Sequence, residues 1–275
     1  MGLLVSELKG AAVDYSKPVP LFKEEGHEVY WVGSYEEYIF RCNAYLIVSG
    51  DKRVLLDPGG IQHFEQVKAR VSQLIEPSEV THIVAHHQDP DVIGSLPLWL
   101  KLNPNVTVVT TPRTQVLIPY YGFDRSKVNW LDVSPLDDTM LELEEGALVF
   151  LSAPFLHFPD AFVTYDSRSK ILFTGDIFAA IQQRWELVVS DFEEHKNELT
   201  YFHVYYMASN KALRHFVEKV RPFPVDAIAP QHGSIIPKEF VGEALDFLEE
   251  LKCGIDLLEE ESPARALIGR ILKNR

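Results

Sequence analysis

The stretch from Val84 to Ser95 constrains this chain more than any other. An apolar, β-branched run, Val80-Thr81-His82-Ile83-Val84-Ala85, leads directly into His86-His87-Gln88-Asp89-Pro90-Asp91. The run contains no Gly or Pro and reads as a buried strand. Pro90 stops a simple continuation of that strand. Ile93, Leu96, Leu98, Trp99 and Leu100 then resume an apolar pattern that suits a helix. A loop between strand and helix can aim several side chains at one point, which a straight strand cannot, because its alternate residues face opposite ways. Imidazoles and carboxylates gathered on such a loop form a metal-ligand arrangement. The same residues also suit a plain turn in which Asp89 or Asp91 caps the helix.

Residues far downstream favour the metal reading. His157 lies in Pro154-Phe155-Leu156-His157-Phe158-Pro159, Asp176 in Leu172-Phe173-Thr174-Gly175-Asp176, and His232 in Ile228-Ala229-Pro230-Gln231-His232-Gly233. Each follows an apolar run and stands near Gly or Pro, where the backbone turns sharply. His86, His157 and His232 with Asp91 and Asp176 make a dinuclear set if Asp176 bridges the two ions. His87 is read as pointing away from His86, in a structural role.

The intervening chain alternates strands and helices. Val29–Gly33, Ile39–Val48, Arg53–Asp57, Val106–Thr110, Met140–Leu143, Leu148–Leu151, Ala161–Tyr165, Ile171–Thr174 and Asp226–Pro230 read as strands. Ser49-Gly50-Asp51-Lys52 reads as a hairpin turn. Phe64, Val67, Val71 and Leu74 recur at helical spacing, residues 193–220 form a helical region with a break allowed, and 238–252 and 264–273 look helical. Residues 1–27 read as an extended lead-in, and residues 1–275 as a single domain closed by C-terminal helices over 238–275. Two sheets packed face to face, with helices outside, satisfy this pattern.

Composition narrows the partners. Asp and Glu outnumber Lys and Arg 40 to 26, giving a formal charge of -14. Such a surface repels phosphate backbones and anionic lipid, so neither nucleic acid nor membrane is expected as a partner. No secretory signal or membrane-length apolar run is evident, and a cytoplasmic location is expected. Cys42 and Cys253 suggest neither a disulfide framework nor a thiolate metal site.

The distributed set resembles the metallo-β-lactamase superfamily, whose leading motif His-x-His-x-Asp-His is followed by distant His, Asp and His. Asn43-Ala44-Tyr45-Leu46 and Leu55-Leu56-Asp57-Pro58-Gly59 are similar to the superfamily's early strands, Thr174-Gly175-Asp176 to its bridging aspartate, and Gln231-His232-Gly233 to its last histidine. The resemblance implies an α+β fold, the αββα sandwich of two mixed sheets. It runs closest to the flavodiiron-like branch, whose motif is His-x-Glu-x-Asp-His and which includes stand-alone oxygen-binding diiron proteins without a flavodoxin module. Aligned from His86, the motif here reads His86-x-Gln88-x-Pro90-Asp91, with an amide at the glutamate, proline at the aspartate and aspartate at the final histidine.

That resemblance implies a non-haem diiron protein that binds or reduces dioxygen or nitric oxide, with metal ligands among His86, Gln88, Asp89, Asp91, His157, Asp176 and His232. Carboxylate-rich sets suit iron or manganese better than zinc, although zinc, and with it hydrolysis of a thioester, phosphodiester or lactone, is the alternative within the superfamily. Gln88 can ligate through its carbonyl oxygen or hydrogen-bond a ligand; Asp89 can cap the helix, ligate, or both. Tyr201, Phe202, Tyr205 and Tyr206 are similar to a tyrosine-rich helix near the metals of this branch, so Tyr206 joins Asp176 as a candidate catalytic residue. Trp185, His195 and His203 are candidates for the pocket wall. No phosphate loop for flavin is found. The chain is therefore expected to bind no flavin, and to act either as a sensor or as an oxidoreductase fed by a separate flavodoxin, rubredoxin or flavin reductase. A homodimer is compatible with this reading.

Overall fold

The computed structural model describes residues 2–34, 41–134 and 139–259. Two sheets face each other. In the first, β1 (Val19–Glu24), β2 (His27–Trp31), β3 (Tyr45–Ser49) and β4 (Lys52–Leu56) run as an antiparallel meander. Three strands then add in parallel: β5 (His82–Val84), β6 (Thr107–Thr110) and β7 (Asn129–Asp132). Between them lie α1 (Phe64–Val71), α2 (Pro90–Ile93), α3 (Leu96–Leu102) and α4 (Thr114–Leu117).

The second sheet has the order β13-β12-β11-β10-β9-β8. Strands β8 (Thr139–Glu142), β9 (Ala147–Ser152), β10 (Phe162–Asp166) and β11 (Ile171–Phe173) form a meander. After α5 (Phe192–Tyr206) and α6 (Asn210–Val220), β12 (Ala227–Ala229) pairs in parallel with β11. β13 (Ile236–Pro237) and α7 (Lys238–Glu250) follow.

Strand alternation sorts the apolar side chains into three layers. Tyr45, Ile47, Val54, Leu56, Val84 and Val109 face Leu148, Phe150, Phe162, Ile171 and Phe173 across the gap between the sheets. Their chain neighbours Leu46, Leu55, Ile83 and Val108 point outward onto α1 and α3. On the other sheet Leu151, Val163 and Leu172 point outward onto α5, α6 and α7. Strands apolar on both faces require exactly such cover, each buried Leu or Ile contributing about 2 kcal/mol. In α6, Leu213, Phe216, Val217 and Val220 supply the inward stripe. The result is the four-layer αββα sandwich expected from the sequence.

Two local readings need correction, and the break allowed in a third is located. The lead-in contributes a full edge strand, β1, because Leu21 and Phe22 are buried. Pro20 is tolerated there, since an edge strand can lack a donor and the register shifts between Pro20 and Phe22. β7, unread in the sequence, extends the first sheet. The helical region 193–220 is two helices, separated where Ser209 accepts from the Ala212 amide and starts α6. The helix expected over 264–273 lies outside the described residues. No helix among the described residues is long and apolar enough to cross a membrane.

Candidate metal centre

The parallel strands deliver their C-terminal ends to one edge of the sandwich, and the candidate ligands follow those ends. His87 and Asp89 follow β5, His157 follows β9, Asp176 follows β11, and His232 follows β12. Asp89 occupies the N-cap of α2, but its side chain makes no capping bond. Pro90 stands at the first helical position, where a missing N–H is harmless. The Asp89 carboxylate is thus left to turn toward the histidines.

Two donor groups result. In the first, His157 Nε2 lies 3.0 Å from Asp176 Oδ2 and 3.4 Å from Asp89 Oδ2. His87 Nε2 lies 3.5 Å from Asp176 Oδ2 and 3.6 Å from Asp89 Oδ2. In the second, His232 Nε2 lies 3.2 Å from Asp91 Oδ2 and 3.6 Å from Asp176 Oδ1. Asp176 therefore turns one oxygen to each group.

Backbone and outer contacts hold these groups in place. Gly175 has φ +55°, and a Cβ there would stand 3.1 Å from that of His86. Gly233 has φ +87°, and a Cβ there would meet Ala180 Cβ at 2.7 Å. Neither position suits a larger residue. Asn43 Nδ2 donates to the carbonyls of Pro230 and Gly233, each at 2.9 Å, and Tyr45 donates to Pro230 at 2.7 Å. His232 Nδ1 donates to the Arg41 carbonyl at 2.7 Å, which leaves Nε2 as the donor atom for a metal. Gln231 Nε2 donates to the Asp91 carbonyl at 2.9 Å and ties the His232 loop to α2.

The charges are strongly coupled. Burial opposes a proton on His87, but Asp176 and Asp89 outweigh it and push the imidazole up to about 10. Burial likewise opposes a proton on His157, and the same carboxylates raise it to about 9. Burial raises Asp176 and Asp89, yet the surrounding imidazoles hold both well below the usual carboxylate range. Among the described residues, neither buried His87 Nε2 nor buried Asp176 Oδ1 has a hydrogen-bond partner. Orphaned polar atoms facing one another are costly unless something satisfies them. Three imidazoles and three carboxylates suit a pair of divalent ions, iron or manganese before zinc, so the residues fit a dinuclear centre.

The structure brings together Asp89, Asp91, His157, Asp176 and His232, but not His86. The Nδ1 of His86 lies 2.5 Å from Asp57 Oδ2, and its Nε2 lies 2.8 Å from Thr164 Oγ1. With both nitrogens engaged between the sheets, His86 is replaced in the cluster by His87, the residue expected to be structural. The leading motif accordingly starts one residue later, as His87-x-Asp89-x-Asp91-Val92. Asp89 then stands at the glutamate position, Asp91 at the aspartate, and buried Val92 at the final histidine. Gln88 turns its amide nitrogen to Asp89, and its Oε1 is buried without a hydrogen-bond partner among the described residues. Its Nε2 donates to Asp89 Oδ1 at 2.6 Å, and its backbone carbonyl accepts from the Tyr121 hydroxyl at 2.5 Å.

The remaining candidates form the surroundings. Tyr206 lies edge-on to His157 with ring centroids 5.8 Å apart, and stacks on Phe202 at 4.4 Å. His203 Nε2 accepts from the Phe178 amide at 2.9 Å, and burial pushes this imidazole down to about 4. Trp185 donates to the Gly233 carbonyl at 2.9 Å, while His195 pairs with Glu198 at 3.0 Å. Sequence reasoning missed Asp57, Thr164 and Tyr121, and set aside Cys42. Both cysteines are free and buried, but Cys42 Sγ stands 3.9 Å from His232 Nδ1. Burial pushes this thiol up, and the imidazoles of His232 and His63 more than reverse the effect.

Fold and site define a metallo-β-lactamase-like protein with a candidate dinuclear metal centre. Residues 40–233 match the family described as ODP family beta lactamase, and the chain belongs to that family. The chemotaxis sensor ODP, solved as a peroxy diiron species, is 34% identical with a TM-score of 0.79, covering 90% of this chain and 100% of its own. Its apo state, from T. denticola, is 35% identical with a TM-score of 0.78 over 89% and 99%. An uncharacterized protein of Methanocaldococcus jannaschii is 26% identical over 81% of this chain, and flavo-diiron protein FprA2 of Clostridium acetobutylicum 28% identical over 74%. The chain spans only 58% and 51% of those two relatives' lengths.

Proposed function

We propose that this protein holds two iron ions and binds dioxygen or nitric oxide as a sensor. The first ion is assigned to His87, Asp89, His157 and Asp176, and the second to Asp91, His232 and Asp176. The observation that carries the reading is the Asp176 carboxylate, with one oxygen turned to each donor group. Two ferrous ions, when bound, provide the place where the diatomic ligand attaches and the electrons it draws.

The roles of the chain follow from position. Asp176 sets the spacing of the pair. The Arg41 carbonyl fixes the His232 tautomer, and Gln88 orients Asp89. Val92 offers no donor where the related motif has histidine, so Asp91, His232 and Asp176 would hold the second ion and leave room there for a small ligand. Tyr206 borders the space beside His157 that a small ligand would enter. The similarity to a chemotaxis sensor over that protein's full length supports sensing over turnover. A separate flavodoxin, rubredoxin or flavin reductase is the alternative partner, and a net charge of -14 favours one with a basic rim.

The test is anaerobic loading with ferrous iron followed by exposure to dioxygen beside a flavin reductase system. We expect two irons per chain and a single stoichiometric uptake with a visible absorbance change. Sustained consumption at ~1 per second or faster would identify a reductase. Hydrolysis of a thioester or phosphodiester by zinc-loaded protein at such rates would overturn the diiron reading.

A further inference from the structure

Asp91 and His232 can be closed into a metal site from two directions. On one side stands Asp176 Oδ1, buried, without a hydrogen-bond partner among the described residues, and 3.6 Å from His232 Nε2. On the other stands Cys42. Donor atoms of Cys42, Asp91 and His232 all lie within 4.8 Å of one another, and Cys42 Sγ stands 3.9 Å from His232 Nδ1. We propose that Cys42, Asp91 and His232 form a thiolate-bearing site for a single zinc-class divalent cation, an alternative to the second ion of the pair bridged by Asp176.

The thiol is placed by backbone pairing. Arg41 accepts from His232 Nδ1 at 2.7 Å, and the Asn43 amide donates to the Gln231 carbonyl at 2.6 Å. The residues either side of Cys42 are thereby fastened to the loop that carries His232, and Cys42 itself is 3% exposed. One sulfur, one nitrogen and one oxygen donor match the tetrahedral preferences of zinc, with a fourth position left for water. Donors around such an ion stand roughly 3.5 Å apart for bonds of ~2.0–2.3 Å, and the three donor atoms here lie within 4.8 Å of one another before any ion draws them in. Thiolate sulfur favours zinc and softer ions over iron, whereas Asp176 offers the harder donor. Because both closures use Asp91 and His232, a cation held by Cys42 excludes the second ion of the bridged pair. The site thus discriminates between metals and blocks the dinuclear centre when the softer ion wins. The cation site rests on these three side chains alone, and only its competition with the second ion rests on the diiron reading.

Cadmium is the probe, because its thiolate complexes absorb in the ultraviolet. Metal-free protein titrated with cadmium is expected to show a thiolate charge-transfer band whose plateau corresponds to one thiolate per chain. Asp176→Asn and Cys253→Ser should keep the band. Cys42→Ser should lose it and bind cadmium at least ~10-fold more weakly, while its iron content on ferrous loading stays at the wild-type value. Cadmium-113 NMR of the unsubstituted protein reads thiolate coordination without any variant. Absence of a thiolate shift there, a band that survives in Cys42→Ser, or a band lost in Asp176→Asn each overturns the proposal. Failure to load iron would bear only on the diiron reading, since the cadmium measurement is made without it.

Discussion

The Nε2 of His157 sits 3.0 Å from Oδ2 of Asp176, while the other oxygen of the same carboxylate faces His232. Removing that carboxylate should therefore affect both donor groups at once. Asp176→Asn is expected to lower iron from two ions per chain to well under one. His87→Ala and His232→Ala should each leave about one. Metal analysis after ferrous loading checks this, and an Asp176→Asn protein with full iron would remove Asp176 from the bridge.

His86 and His87 should behave as opposites although they are neighbours in the chain. His86 joins Asp57 in the first sheet to Thr164 in the second. Its loss strands a buried carboxylate, so His86→Ala should cost about 2 kcal/mol of stability and still bind two metals when folded. His87→Ala should lose metal from the first group with a smaller change in the melting temperature of the metal-free protein. Thermal melts paired with metal counts separate the two residues. Equal effects on metal content would contradict the placement.

Much of this was legible before the structure. The layered architecture follows from strands apolar on both faces, and His157, Asp176 and His232 are recognisable at strand ends. The choice between His86 and His87 turned on parity. Ile83 points outward and Val84 inward, so continuing the period of two sends Ala85 outward and His86 between the sheets. The loop begins only at His87, and counting the strand to its end finds the register. Cys42 left no comparable signal. It lies 190 residues from His232, and the two meet only in the fold, through the pairing of Arg41 and Asn43 with the 230–233 loop.

The protonation of the first group predicts how metal binding varies with pH. In the metal-free protein His157 is raised to about 9 and His87 to about 10, both above the ordinary 6.5. The stability these protonated rings give is complete below about pH 6.5 and fades as the pH rises through 9 to 10. The lowered Asp89 and Asp176 act in the other sense, their contribution being lost in acid as they take up protons. A metal needs the rings neutral, so loading releases protons, and affinity should climb roughly tenfold per pH unit for each proton displaced. Chelator competition across neutral to mildly alkaline pH measures the slope. A flat profile would mean that the rings are already neutral.

Gln88 gives the last and sharpest test, because the related motif and the geometry predict opposite results. If Gln88 stood at the glutamate position, Gln88→Glu would restore a ligand and tighten metal binding. Instead its amide nitrogen donates to Asp89 Oδ1 at 2.6 Å. A glutamate would set a second carboxylate against Asp89 and replace a donor with an acceptor. Like charges at that separation raise each other's proton affinity, and Asp89 would swing away from His87 and His157. Gln88→Glu is therefore expected to weaken binding of the first ion by ~10-fold or more, within the usual range for a partner that orients a ligand. Gln88→Ala, which removes the donor without adding charge, should weaken it less. Isothermal titration with ferrous ion, or manganese under air, ranks the three proteins. Tighter binding by Gln88→Glu would place Gln88 among the ligands and return the motif to the register that begins at His86.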